Sequence, residues 1–272
     1  MPFLDRDGVK IYYEDHGHGP PILLSHGYGA SCRMWHAQIS ALVARYRVIV
    51  WDMRGHGETD DPEDPAAYSA VLTVADMAAL LRCCGIDRAV IGGLSLGGYM
   101  SLAFHLAHPE MVRALMLFDT GPGFRNADTR RTWNERAQQR ARDLEARGFA
   151  ALGASDEIGT SKHRSARGLA GAARGMLAQA DDRIIVGLDK ISVPALVLVG
   201  HRRHAFSRRR RLHGAQDPRC DASDDPRRRA CLQPAPAGRF QPRSPGLSRR
   251  TPGQGVTAAR PFAVLDYNHW WS

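Results

Sequence analysis

Five short apolar runs recur along the first 200 residues: PILLSHG (21–27), RVIVWD (47–52), RAVIGGLS (88–95), RALMLFD (113–119) and VPALVLVG (193–200). Each core is short and rich in Val, Ile or Leu, the uninterrupted apolarity that strands buried on both faces require. The segments between them carry the helical period instead. In TVADMAALLRCCG, the residues Val74, Met77, Ala78 and Leu81 share one face, Thr73 and Asp76 fit a capping box, and Gly85 fits a stop. SCRMWHAQISALVARY and LGGYMSLAFHLAHP repeat the pattern, the second ended by Pro109. Strands alternating with helices predict an α/β fold, a mostly parallel, doubly wound sheet with helices on both faces. The leading KIYYEDHG is expected to add to its edge as an antiparallel strand.

Residues 122–190 break this rhythm. They hold two helical patterns, TRRTWNERAQQRARDLEARGF and SARGLAGAARGMLAQA, and nothing that reads as a strand. A helical insertion at this point lies over the carboxyl ends of the strands, where open α/β sheets hold their ligands. The expected organisation is therefore a core over 1–121, a helical cap over 122–190, a returning core strand over 191–200, and an Arg/Pro-rich irregular tail over 201–272.

Charge divides the chain in the same way. The net charge is +9, yet residues 201–272 contain fifteen Arg, no Lys, five Asp and no Glu, a net of +10 that leaves the first 200 residues at −1. A nearly neutral body makes nucleic acid an unlikely partner for the core. The five cysteines form neither a disulfide framework nor a CxxC knuckle, Cys83 and Cys84 being adjacent, so no metal and no cofactor is expected. MPFLDRDGVKIYYEDHGHG is too charged for a secretory leader, and no apolar run approaches the ~20 residues that cross a bilayer. A cytoplasmic protein with no membrane partner is the expectation; nothing in the residues marks an oligomeric state.

The chemistry concentrates in three short stretches. Gly93-Leu94-Ser95-Leu96-Gly97 places G-x-S-x-G between a strand and a helix. Glycines there permit a sharp turn that presents the Ser95 hydroxyl, and the helix beginning at Leu96 points free N–H groups toward it. The alternative is a glycine-rich turn packed closely for steric reasons alone. Upstream, SHGYGAS lets the backbone turn so that the Tyr28 N–H joins that of Leu96 as an oxyanion-binding pair, with His26 holding the loop. In DMRGHGET (52–59), Asp52 and Arg54 are expected to pair, and Gly55 and Gly57 to allow a tight loop.

HGYG, DMRGHGET and GLSLGG at these positions resemble the α/β-hydrolase superfamily, in its esterase-like, lactonase-like and cofactor-free haloperoxidase-like branch; the resemblance covers residues 1–200. It implies that Ser95 is the nucleophile, that the amides of Tyr28 and Leu96 form the oxyanion hole, and that 122–190 is the cap. A serine at the elbow favours acyl transfer from an ester, thioester or lactone. The resemblance also implies an acid just past VPALVLVG and a base in a later Gly-His turn, but no Gly-His dipeptide follows residue 200. Asp119, ending RALMLFD, is the surviving candidate acid, with capping of the Gly121-Pro122 turn as its other reading; the base is unassigned, because His201, His204, His213 and His269 sit in no recognisable setting.

Two readings of the tail stand. One is a disordered basic arm that binds nucleic acid or another acidic surface, on an inactive hydrolase scaffold. The other is a coding sequence translated in the wrong frame. With suitable codons, reading one base later supplies an aspartate straddling Arg203 and His204, a Gly-His turn whose His codon straddles Ala230 and Cys231, and an amphipathic last helix from FQPRSPGLSRR.

Overall fold

The computed structural model describes residues 2–200 together with the backbone of Phe262–Leu265. Eight strands form one sheet: β1 (Phe3–Arg6), β2 (Val9–His16), β3 (Pro21–Ser25), β4 (Arg47–Trp51), β5 (Ala89–Leu94), β6 (Val112–Phe118), β7 (Ala195–Leu198) and β8 (Phe262–Leu265). Their spatial order is β1-β2-β4-β3-β5-β6-β7-β8. From β4 to β8 all neighbours are parallel, and β1 and β2 join antiparallel. All five apolar runs are strands.

Two expectations about the sheet are corrected. KIYYEDHG is not the edge: β2 pairs β4, and β1 lies outside it. The hairpin between them turns on Asp7 and Gly8, both at positive φ (56° and 83°), the conformation that an Asp-Gly pair adopts readily. The tail also holds more than irregular chain, because β8 pairs β7 in parallel register, Ala195 opposite Phe262 through Leu198 opposite Leu265. Its four apolar residues follow Pro261 and are outnumbered by the surrounding Arg and Pro, so they leave no periodic signal. The remaining readings of 201–272, including the four histidines, fall outside the described residues.

The helices are α1 (His36–Leu42), α2 (Ala70–Cys83), α3 (Leu96–Ala107), α4 (Ala127–Arg147), α5 (Asp156–Gly159), α6 (Ala166–Ala172) and α7 (Arg183–Val186). Between β6 and β7 the described chain is helices and connections only. The central strands face both ways. Along β3 and β4, Leu23, Ile49 and Trp51 enter a core with α2 and α3, whereas Ile22, Leu24, Val48 and Val50 enter a second core with Trp35 and Ile39. This two-sided burial is why the strands read as continuous apolar runs.

The capping box placed at Thr73 and Asp76 is corrected as well. Helix α2 begins a turn earlier, where the Ser69 side chain accepts from the Leu72 N–H at 3.1 Å. The Thr73 hydroxyl donates to the Ser69 carbonyl, and Asp76 is fully buried and engaged elsewhere. It accepts two bonds from Arg54, 2.7 Å from Nε and 3.0 Å from Nη2, and one from Arg6 at 3.3 Å. Removing one member of a buried ion pair strands the other charge without water. Asp76→Ala is therefore expected to destabilise the fold by about 3–5 kcal/mol. Urea unfolding checks this, and a loss under about 1 kcal/mol would show that Arg54 is solvated in the variant.

Candidate active site at the carboxyl ends of the strands

The turn from β5 into α3 carries a strained serine. Ser95 has φ 50° and ψ −108°, a left-handed backbone that residues with a side chain rarely adopt. The neighbouring strand holds it there. The Ser95 N–H donates to the Phe118 carbonyl (2.9 Å), and the Ser95 carbonyl accepts from the Thr120 hydroxyl (2.6 Å). Glycines are required on both sides of the turn. A Cβ on Gly93 would come within 2.6 Å of the Ser25 carbonyl oxygen, and one on Gly97 closer still to that same oxygen. Close packing and presentation of the hydroxyl are thus one device: the backbones of β3 and the elbow touch, and half-buried Ser95 is left at the turn's apex.

That contact brings the loop after β3 beside the start of α3. His26 is fully buried, its Nδ1–H donating to the Gly27 carbonyl (2.8 Å) and its Nε2 accepting from the Met53 N–H (3.0 Å). It holds the loop, as expected. Because a trans peptide sets its C=O and N–H antiparallel, fixing the Gly27 carbonyl also fixes the direction of the Tyr28 N–H. The Tyr28 hydroxyl donates to the Leu169 carbonyl (2.7 Å), its ring meets the His56 ring edge-on at 5.5 Å, and the Arg140 guanidinium lies 5.4 Å from the ring centroid. Among the described residues, neither the Tyr28 nor the Leu96 amide makes a hydrogen bond.

In the loop after β4, the expected pairing of Asp52 with Arg54 does not form. Asp52 accepts from the Cys32 N–H (2.6 Å) and the Glu58 N–H (2.9 Å), tying two loops together, while Arg54 turns to Asp76. Strand β4 ends at Trp51 and the chain turns beyond it, the His56 N–H donating to the Met53 carbonyl (2.9 Å), so the two side chains part. The tight loop at Gly57 is present: it has φ 52°, and a Cβ there would collide with the Asp52 carboxylate. Burial raises the Asp52 carboxyl to about 6.

Three imidazoles gather at this end: His26, His56 and His163, with His56 ring centroids 4.8 and 5.9 Å from the other two. Burial pushes His26 down to about 3, His56 well below its ordinary range, and His163 below it as well. An unfolded chain protonates all three below about pH 6.5, whereas burial in the folded chain opposes their protonation. Stability is therefore expected to fall with acidification from pH 6.5, by up to about 1.4 kcal/mol per pH unit for each imidazole. Asp52 works in the opposite direction between its ordinary value and about 6, offsetting one of them. Urea unfolding free energies at pH 7.5 and 5.5 check the sign; a flat profile would mean that the imidazoles take up protons without unfolding.

Asp119 directly follows β6, the strand adjoining the elbow, with φ 41°. Its Oδ1 accepts from the Gly200 N–H (2.7 Å) and its own N–H donates to the Leu198 carbonyl (2.8 Å). The carboxylate thus spans to the end of β7; no hydrogen bond to the Gly121-Pro122 turn forms. Among the described residues, no histidine lies within hydrogen-bonding distance of Ser95 or Asp119. Thr120 and His163 belong to this region without any spacing or motif that marks them in the sequence.

Residues 20–168 match the family described as alpha/beta hydrolase fold. The chain belongs to the α/β-hydrolase fold family. Within this family it is similar to a protein carrying the carbamate hydrolase name RutD from Azorhizobium caulinodans (37% identity over 128 residues) and to bifunctional epoxide hydrolase 2 of Sus scrofa (36% over 118 residues). These stretches are 47% and 43% of this chain, and 46% and 21% of those proteins, so it spans less than half of either relative. Among solved structures, a thermophilic esterase from Thermogutta terrifontis aligns with TM-score 0.61 and 29% identity, covering 73% of this chain and 78% of that one. The enol-lactonase from Burkholderia xenovorans, at 24% identity and TM-score 0.58 over 74% and 80%, shares the fold. Among the described residues, no helix of this α/β hydrolase is long and apolar enough to cross a membrane.

Proposed function

We propose that this protein is a serine hydrolase of a small ester, thioester or lactone, working through an acyl-enzyme on Ser95. The observation that carries the reading is the Ser95 backbone, held at φ 50° by the Phe118 carbonyl and the Thr120 hydroxyl, with the serine left at the apex of the turn. In this reading the Ser95 oxygen attacks the substrate carbonyl, its proton passes to a base, and the alcohol or thiol departs. Water then releases the acid. The Tyr28 and Leu96 amides carry the oxyanion in both halves, supported by the free amide at the start of α3 and by the His26 bond that aims Tyr28. Asp119 is the acid that orients the base, and helices α4 to α7 form the cap that shapes the pocket within 122–190. The similarity to an esterase supports the acyl-transfer class. The small-molecule partner is this substrate, and a cytoplasmic location is part of the same reading.

The base is unassigned in this reading, and the resemblance to the family places it in the part of the chain that follows residue 200. In the frame as written this segment lacks the Gly-His turn, and the one-base offset restores it, so we take the chain as an impaired form of an active hydrolase. Treatment with a fluorophosphonate followed by intact mass measurement tests the nucleophile directly. One adduct on the frame-restored chain and none on its Ser95→Ala variant is the expected result. Salt-sensitive binding of nucleic acid, with no adduct, would favour the basic-arm reading instead.

A further inference from the structure

We propose that His163, from the helical segment, is a positioning residue for the oxyanion-binding loop, a role that rests on the reading of Tyr28 as an oxyanion donor. Its ring bridges two backbone loops. The Gly57 N–H donates to His163 Nδ1 (3.0 Å), which leaves the ring proton on Nε2, and that N–H donates to the Gly29 carbonyl (3.0 Å). His26 does the same from the opposite side of Tyr28, accepting from Met53 N–H and donating to the Gly27 carbonyl. Two histidines of opposite tautomer thus tie the loop after β3 to the loop after β4, one at each side of Tyr28.

The second tie matters because of the residue it holds. Gly29 has φ 75°, in a tight turn that the Ala30 N–H closes on the Gly27 carbonyl (3.1 Å). The His163 bond holds the other end of the Gly29–Ala30 peptide, its carbonyl, and so ties the turn that carries Tyr28 to the loop after β4. A donor aimed at a developing oxyanion acts through preorganisation, since an amide that must reorient during the reaction loses much of its effect.

The segment holding His163 is anchored without it. Arg164 pairs with Asp60 (2.9 Å), the Ser165 hydroxyl donates to Asp61, and Leu152 and Ile158 lie where a Cβ on Gly29 would meet them at 3.3 and 3.7 Å. Removing the imidazole should therefore release the loop while leaving the helices in place.

The test uses the full-length, frame-restored chain with p-nitrophenyl acetate, alongside Ser95→Ala in the same frame. His163→Ala is expected to lower kcat about ten-fold, a fraction of the effect of deleting an oxyanion donor, with KM within about two-fold. His163→Gln retains a donor for the Gly29 carbonyl and should recover most of the rate; His163→Asn retains only an acceptor for Gly57 and should recover less. In the wild type, 15N shifts should show the Nε2–H tautomer. An unchanged kcat in His163→Ala, or a loss that tracks the thermal midpoint and is not rescued by Gln, overturns the inference. If Ser95→Ala keeps the rate of the frame-restored parent, the serine-hydrolase reading itself fails; if that parent neither turns over the ester nor takes up a fluorophosphonate, both fail together.

Discussion

In the frame-restored chain, Ser95→Ala is expected to lower turnover of a short chromogenic acyl ester by about a thousand-fold or more, with little change in fold stability. The loss follows from what the hydroxyl does in the proposed chemistry: it forms the bond that divides hydrolysis into two steps, and no neighbouring side chain can replace it. Stability should hold or rise slightly, because alanine relieves none of the backbone constraint but buries no polar atom. The measurement is steady-state kinetics and urea unfolding on both proteins. A variant retaining full activity would falsify the assignment of Ser95, since the oxyanion-binding amides alone have no atom to transfer the acyl group to. Because the wild-type chain lacks a recognisable base, the comparison is sharpest in the frame-restored version.

Restoring the frame by one base from about codon 200 is expected to raise kcat by several orders of magnitude, about 10³ or more. A serine hydroxyl without a base stays protonated at neutral pH and is a weak nucleophile. The oxyanion-binding amides and substrate binding still leave roughly 10³-fold acceleration over water, provided the elbow is formed. The chain as written should thus show a trace of activity on the same ester, and the difference should lie in kcat. Both versions are to be expressed, shown to be folded by circular dichroism, and assayed side by side. Equal rates would mean that a histidine already present in 201–272, such as His269, reaches Ser95.

Much of the fold is written locally. The five runs that became β3 to β7 are apolar throughout because both faces are covered, and that composition can be read without any partner in view. The elbow is legible for the same reason: glycines around one serine, after an apolar run and before a helical one, have few other uses. The errors lie where a local signal has two outlets. Thr73 and Asp76 have capping-box spacing, but Ser69 takes the cap and Asp76 is drawn into the core by Arg54. Asp52 and Arg54 are close in sequence yet diverge, one to the Cys32 and Glu58 amides and the other to Asp76. Strand β8 was hidden because four apolar residues cannot outweigh an Arg- and Pro-rich setting.

What the sequence by itself determined is the α/β class, the strand and helix alternation, the position of the serine, and the loops around it. Each follows from periodicity or turn chemistry within a window of about ten residues, where backbone sterics and burial leave few choices. Only the tertiary structure decided which groups meet at the strand ends: Asp119 with Gly200 across 81 residues, Arg54 with Asp76 across 22, and His163 with Gly57 and Gly29 across 106 and 134. Those pairings depend on how the crossovers place one loop beside another. No short-range preference encodes that placement, because it is the packing of the whole sheet that brings the loops together.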